Sequence, residues 1–302
     1  MSQWTAADTP DQSGRVALVT GANSGLGLHT SIALARKGAR VLMACRDAGR
    51  AEAALARVRR EVPGAAAELV TLDLSSLASV EAAATEVAER TATLDLLVDN
   101  AGVMAPPRST TTDGFELQLG TNHLGHFALT GRLLPLLLAA PSPRVVVVSS
   151  GAHRLGKINF EDLQSERSYA RWGAYGQSKL ANLLFARELQ RRAGTSLLVA
   201  AAHPGYAATH LQSGQGSFLL EAAMKVGNAV IAQSDAAGAW PSLYAATMPD
   251  VQRGDYWGPA IAELRGTPKR VGRSKAAQDD AAARRLWEES ERLTGVSYAL
   301  PA

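Results

Sequence analysis

"VTGANSGLGLHT", residues 19–30, decides how the chain is read. It follows the apolar run "RVALVT" (15–20) and opens the helical pattern "GLHTSIALARKG" (27–38), which stops on Gly38. A buried strand, a glycine-rich turn and a helix in this order begin a βαβ unit. Gly21 permits a sharp turn out of the strand, and Gly25 and Gly27 let backbone approach a ligand at the helix N-terminus. Free N–H groups and the helix dipole favour an anion there, so the loop reads as a cradle for a pyrophosphate. Asn23, Ser24 and Leu26 belong to the same cradle. The spacing is T-G-x-x-x-G-x-G, not the G-x-G-x-x-G of many dehydrogenases. Alone, such a turn merely connects strand to helix. At the head of a βαβ series it points to nucleotide binding.

That series continues along the chain. Strands are expected at "ARVLMAC" (39–45), "AAELVTL" (66–72), "LDLLV" (94–98), "RVVVVS" (144–149) and "SLLVAAA" (196–202). Helices are expected at 47–62, 76–90, roughly 113–139 and roughly 170–193, with one more near 277–294. Nearly continuous apolar strands imply a sheet covered on both faces, and so a parallel one. Right-handed crossovers then give an α/β, doubly wound Rossmann domain with about seven strands. Residues 1–14 read as an N-terminal extension and 15–302 as one domain. Chemistry is expected just beyond the carboxyl ends of the strands.

Bulk composition agrees. Of 302 residues 46% are hydrophobic and 20% charged, ample for one large core. Net charge is +3 and the pI about 9.1, but the basic residues are scattered along helices, which argues against nucleic acid as a partner. Cys45 is the sole cysteine, so no internal disulfide forms and a reducing, cytoplasmic setting is expected. The N-terminal residues lack the pattern of a signal peptide, and apolar runs such as "LLPLLLAA" (133–140) are too short to span a bilayer. His123 and His126 are three apart, with no carboxylate or thiolate pattern to complete a metal site.

The end of the second strand bears on which nucleotide binds. NAD usually needs a carboxylate there for its ribose hydroxyls. Here Cys45 is followed by Arg46, while Asp47 reads as the cap of the next helix. Arg46 can pair with a 2′-phosphate, which favours NADP(H), with NADPH preferred over NADH.

Several motifs occur in a fixed order: "TGANSGLG" (20–27), "LDL" (72–74), "DNAG" (99–102), "TNHLGHF" (121–127), "VVSS" (147–150), "YGQSK" (175–179) and "HPGYAAT" (203–209). Together they resemble the short-chain dehydrogenase/reductase family over residues 15 to about 210. "ARVLMACRD", "TTDGFELQLGTNHLGHFALT" and "AYGQSKLANLLFARELQRR" look like its retinol-dehydrogenase-like branch, which also contains proteins similar to protochlorophyllide reductase. The resemblance implies a catalytic set of Asn122, Ser150, Tyr175 and Lys179, with Asn122 holding a water that relays protons to the lysine. Ser150 is preferred to Ser149 on the resemblance alone. Asp73, with Leu74, would sit against the adenine. Asn100, Ala101 and Gly102 would line the adenosine side, and Pro204, Gly205 and Thr209 would flank the nicotinamide. Tyr175 and Lys179 would touch the cofactor too. The family motif is usually "NNAG". Asp99 replaces its first asparagine, and a local adjustment is expected rather than loss of cofactor binding.

Tyr175 and Lys179 are four apart, so on a helix they share one face. A tyrosine of pKa about 10 must be lowered to act as a base near neutral pH. An ammonium at about 5 Å supplies roughly 3 kcal/mol, or about two pKa units, at an effective dielectric near 20. Lys179 is therefore the expected tuner of Tyr175. Singly, each reads as an ordinary helical residue. Paired beside a strand-end serine and a nucleotide loop, they read as functional.

The reading is an NADP(H)-dependent oxidoreductase for a lipophilic alcohol, aldehyde or ketone. Residues 206–233 form a candidate substrate lid. Gly214 and Gly216 make its start mobile, and Phe218, Leu219, Ala222, Met224, Val226 and Ile231 either face substrate or pack on the core. The 151–174 stretch is longer than the family's usual connection, and either walls the pocket or lies on the surface. Family members often form homodimers or homotetramers through the two long helices. Alternatives are a protochlorophyllide-reductase-like enzyme, a sugar-nucleotide epimerase, against which the glycine spacing argues, and a non-catalytic NADP(H) sensor, which has no need of both Tyr175 and Lys179.

Overall fold

The computed structural model describes residues 4–205 and 234–300. The candidate lid at 206–233, Thr209 included, lies outside the described residues. β1 (Val16–Thr20), α1 (Gly25–Arg36), β2 (Arg40–Cys45), α2 (Ala48–Glu61), β3 (Ala67–Thr71), α3 (Leu77–Arg90) and β4 (Leu96–Asp99) alternate as the pattern predicts. A short helical turn (Leu117–Leu119) and a π-helical turn (Gly120–Leu124) then run into α4 (Gly125–Leu138). β5 (Arg144–Val148), α5 (Arg171–Ala193), β6 (Leu198–Ala202), α6 (Trp240–Thr247), β7 (Tyr256–Ile261), β8 (Arg265–Arg270) and α7 (Asp280–Thr294) follow.

The strands form one sheet in the order β3-β2-β1-β4-β5-β6-β7-β8. β1 to β7 pair in parallel, and β8 returns antiparallel along β7. The sheet thus has eight strands rather than about seven. β8, "RGTPKR", has no apolar face to betray it, and its charges and proline suit an open edge. Strand order reverses between β1 and β4, which opens the crevice where this architecture binds ligands.

Period-two alternation sends neighbouring side chains to opposite layers. Leu18, Leu42, Leu97, Val145 and Val147 pack with α3, α4, α5 and α7, while Ala17, Val19, Met43, Val98 and Val146 pack with α1, α2 and α6. Trp4, from the N-terminal extension, lies edge-on to Trp240 and Tyr244 at the second layer. Caps fall where hydroxyl and carboxylate residues precede helices. Ser76 accepts from the Ser79 N–H, and Asp47 from the Arg50 N–H at 2.8 Å. The helix expected from 113 starts at Leu117, because the Glu116 carboxylate accepts the Gln118 and Leu119 N–H groups and fixes the start there.

α7 crosses α4 and α5 and seals that layer. Trp287 contacts Phe127 at 5.1 Å and Phe185 at 6.0 Å between ring centres, and Tyr298 packs on both Phe127 and Trp287. The Tyr298 hydroxyl donates to the Phe127 carbonyl at 2.6 Å. α7 thereby occupies part of the surface on the two long helices that the family resemblance assigned to self-association. Asp99 is fully buried at the end of β4, where Oδ2 accepts from the Thr130 hydroxyl at 3.0 Å and Oδ1 has no partner. The Thr130 hydroxyl thus partners one oxygen of the acid that stands where the family motif usually has asparagine.

Candidate active site

The cradle has the geometry its glycines imply. Gly21 and Gly25 adopt φ of +66° and +51°, a region that favours glycine. A Cβ at Gly27 would lie 2.3 Å from the Gly21 carbonyl oxygen, so only glycine lets α1 pack this tightly against the turn. Ser24 precedes α1 in extended conformation with no side-chain cap bond, which leaves the first N–H groups of the helix available to an anion. These features fit a dinucleotide pyrophosphate.

A cleft of about 440 Å³ opens here. Gly21, Asn23, Ser24, Gly25 and Leu26 line one side, Asp73, Leu74, Asn100, Ala101 and Gly102 another, and Arg46 its far end. Gly27 lies beneath the loop rather than on the cleft wall. Arg46 is largely exposed and approaches Asp73 at 4.0 Å. Arg50, in the first turn of α2, also lines the cleft. Sequence reading missed it, although a second arginine one turn beyond Arg46 was the available signal. Asn100 is held by its side-chain Nδ2, which donates to the Thr20 carbonyl at 2.8 Å. The backbone N–H groups of Asn100 and Ala101 both donate to Thr20 Oγ1 at 2.9 Å.

The second half of the site lies at the ends of β4 and β5. Asn122 sits in the π-helical turn. Its Oδ1 accepts from the Val103 N–H at 2.8 Å, and its Nδ2 donates to the Val103 carbonyl and the Ser178 hydroxyl, each at 2.9 Å. Tyr175 and Lys179 face the same region from α5, both buried. Lys179 Nζ is 5.8 Å from the Tyr175 ring centre and donates to the Val148 carbonyl at 3.3 Å. Ser149 and Ser150 are separated by their bonds. The Ser149 hydroxyl donates to the Lys179 carbonyl at 2.7 Å, whereas the Ser150 hydroxyl pairs with the Tyr175 phenol.

The electrostatics correct one expectation. Burial raises the Tyr175 pKa above its ordinary value, opposed by the Ser150 hydrogen bond. The same burial pushes Lys179 down to about 8. A phenol withdrawn from water loses the hydration of its anion, which favours the protonated form. Tyr175 therefore holds its proton at neutral pH.

Pro204 and Gly205 follow β6, outside the cleft lining. Gly205 has φ of +72°, and a Cβ there would lie 2.3 Å from the Leu264 carbonyl oxygen at the β7–β8 turn. The 151–174 stretch reaches the site at its far end. The Tyr169 hydroxyl donates to the Pro106 carbonyl at 2.8 Å, and the exposed Trp172 ring meets Tyr175 edge-on at 5.9 Å. Phe160, by contrast, lies under the Arg285 guanidinium at 4.2 Å. The buried Cys45 thiol is pushed up to about 12, unsuited to a nucleophile. Among the described residues no group of three His, Cys, Asp or Glu side chains is arranged to hold a metal ion, and no helix is long and apolar enough to cross a membrane.

A nucleotide cradle leading to a strand-end serine, a tyrosine and a lysine defines an oxidoreductase site. The model of the short chain dehydrogenase family matches residues 15–218, and the chain belongs to that family. It is 44% identical over 299 residues to retinol dehydrogenase 14 of Mus musculus, covering 94% of this chain and 86% of that protein. A crystal structure of an uncharacterised protein from Mycobacterium paratuberculosis is 44% identical, with a TM-score of 0.81 over 99% of this chain and 100% of that one. The Pseudomonas aeruginosa RhlG/NADP active-site complex is 27% identical, with a TM-score of 0.65 over 82% of this chain and 94% of that one. The chain is thus a dehydrogenase of CH–OH groups that uses a nicotinamide cofactor.

Proposed function

We propose that the chain reduces the carbonyl of a lipophilic small molecule with NADPH, and catalyses the reverse oxidation when product accumulates. The observation that carries the reading is the Ser150–Tyr175–Lys179 group at the end of β5 and on α5, its tyrosine and lysine buried, next to the cradle. When bound, the cofactor supplies the hydride. Tyr175 is the acid. Its raised pKa keeps the phenol protonated, as a donor to the substrate oxygen must be. The Ser150 hydroxyl would turn from the phenol to donate to the same oxygen and hold the carbonyl in place. Lys179, still mostly charged below pH 8, stabilises the phenolate left behind and would donate to the ribose hydroxyls of the bound cofactor. Asn122 braces the turn against Val103 and Ser178 and, as the family resemblance implies, orders the water that returns a proton.

Arg46 and Arg50, which line the cleft, would pair with a 2′-phosphate and so favour NADPH, and Asp73 and Leu74 would border the adenine. Pro204 and Gly205, just after β6, would flank the nicotinamide. A lipophilic substrate is supported by the retinol named in the similar enzyme and by the exposed Trp172 indole against Tyr175. The test is NADPH consumption with a panel of apolar aldehydes and ketones. Tyr175→Phe should lower turnover at least about 100-fold without unfolding the chain. Full turnover in that variant would refute the assignment.

A further inference from the structure

We infer that His126 is a positioning residue that couples the cofactor cradle to the catalytic turn through opposite edges of one neutral imidazole. The inference rests on the functional reading above. His126 lies in the first turn of α4, 1% exposed. Its Nδ1 is 3.0 Å from the Asn122 carbonyl oxygen and its Nε2 is 2.9 Å from Thr20 Oγ1.

These partners fix where the protons are. A carbonyl oxygen only accepts, so Nδ1 carries a proton. Burial pushes the ring down to about 4, so it is neutral and Nε2 must accept. The Thr20 hydroxyl is then the donor to Nε2. Its other acceptor, the Val98 carbonyl, is farther away at 3.4 Å. Thr20 Oγ1 meanwhile accepts the N–H groups of Asn100 and Ala101, which form the adenosine-side wall of the cleft. One directed chain of hydrogen bonds therefore runs from that wall through Thr20 and His126 to the backbone of Asn122.

Both ends of the chain are functional. A Cβ at Gly102, on the cleft wall, would lie 3.0 Å from Asn122 Oδ1 and 3.4 Å from Lys179 Nζ, so wall, asparagine and lysine meet at one point. Displacement of the Asn122 carbonyl would shift this junction, and displacement of Thr20 would release the wall. His123, in the π-helical turn beside Asn122, differs from His126. It bonds Ser290 on α7 at 2.9 Å and has no link to the cradle.

Two substitutions separate the bonds. Asparagine places an amide nitrogen near the position of Nδ1, and glutamine places its amide near Nε2. His126→Asn should keep the Asn122 bond and lose the Thr20 bond. The NADPH Kd, read by fluorescence titration, should rise about tenfold, with kcat at saturating NADPH falling less than about threefold. His126→Gln should do the reverse, with kcat falling about tenfold or more and the NADPH Kd within about threefold. Thr20→Val should reproduce the Kd effect of His126→Asn and add little to it in the double variant. Equal changes in both quantities for the two histidine variants, or none in either, would overturn the coupling in favour of simple packing. A wild-type chain that binds NADPH but turns over no aldehyde or ketone would overturn the proposed reaction instead. The Kd values would still decide the coupling, and equal Kd values for the two histidine variants would overturn it.

Discussion

Asp99→Asn should stabilise the protein at alkaline pH and remove a pH dependence that the wild type carries. Asp99 is wholly buried, with one hydrogen bond from Thr130 and a second carboxylate oxygen that has no partner. Burial lifts its pKa from 3.8 to about 8. The sign follows from proton counts. Between about pH 4 and pH 8 the folded carboxyl keeps its proton and the unfolded one has lost it. Unfolding releases a proton, and stability falls as pH rises, by about 1.4 kcal/mol per unit at most. This contribution is fully present below pH 4, declines up to about pH 8, and is gone above it. Over about four units it amounts to roughly 4–6 kcal/mol, a large share of the 5–15 kcal/mol typical of a folded protein. Asparagine has no proton to lose. Urea unfolding of both proteins from pH 5 to pH 9 would show the difference. Near pH 5 the curves should agree within about 1 kcal/mol, and by pH 8 the variant should lead by roughly 3 kcal/mol or more. Parallel stability curves across the whole range would refute the argument.

Three further outcomes follow from the site and the core. Arg46→Ala with Arg50→Ala should weaken NADPH binding by about 100-fold in Kd and NADH binding by less than about threefold, since each charge-assisted bond contributes about 1.5 kcal/mol; equal losses would count against a 2′-phosphate site. Carbonyl reduction at low substrate should decline as pH rises through about 8, where Lys179 loses its proton, and Lys179→Arg should move that limb upward; an unmoved limb would assign it to another group. Trp287→Ala should cost about 3–5 kcal/mol of unfolding free energy, because Phe127, Phe185 and Tyr298 cannot close the void; a cost under about 1 kcal/mol would mean that α7 is not part of the core.

The parts legible in the sequence share a physical reason. β1, β2, β4, β5 and β6 are covered on both faces, so each is a continuous apolar run that needs no context to recognise. Gly21, Gly25 and Gly27 were readable because a tight turn beside a helix N-terminus restricts the residue type. β8 was not, since an edge strand of arginine, lysine and proline carries no burial signal. Arg50 was overlooked because an arginine in the first turn of a helix is ordinarily a solvated one. The direction of the Tyr175 shift depends on how much water surrounds the phenol, and a spacing of four residues says nothing of that. The link from His126 to Thr20 joins positions far apart in the chain, and only the fold brings them together.

The ring cluster of Phe127, Phe185, Trp287 and Tyr298 also dictates the order in which the molecule can be completed. Phe127 and Phe185, and with them Tyr175 and Lys179, leave the ribosome more than a hundred residues before the side chains that cover the rings. Until those arrive, Phe127 and Phe185 face water, and the nascent chain carries a sticky surface for seconds at ordinary rates of synthesis. The cradle's layer waits as well, since α1 and α2 share their core with α6. Both layers of the molecule are therefore completed only when the C-terminal third of the chain has emerged.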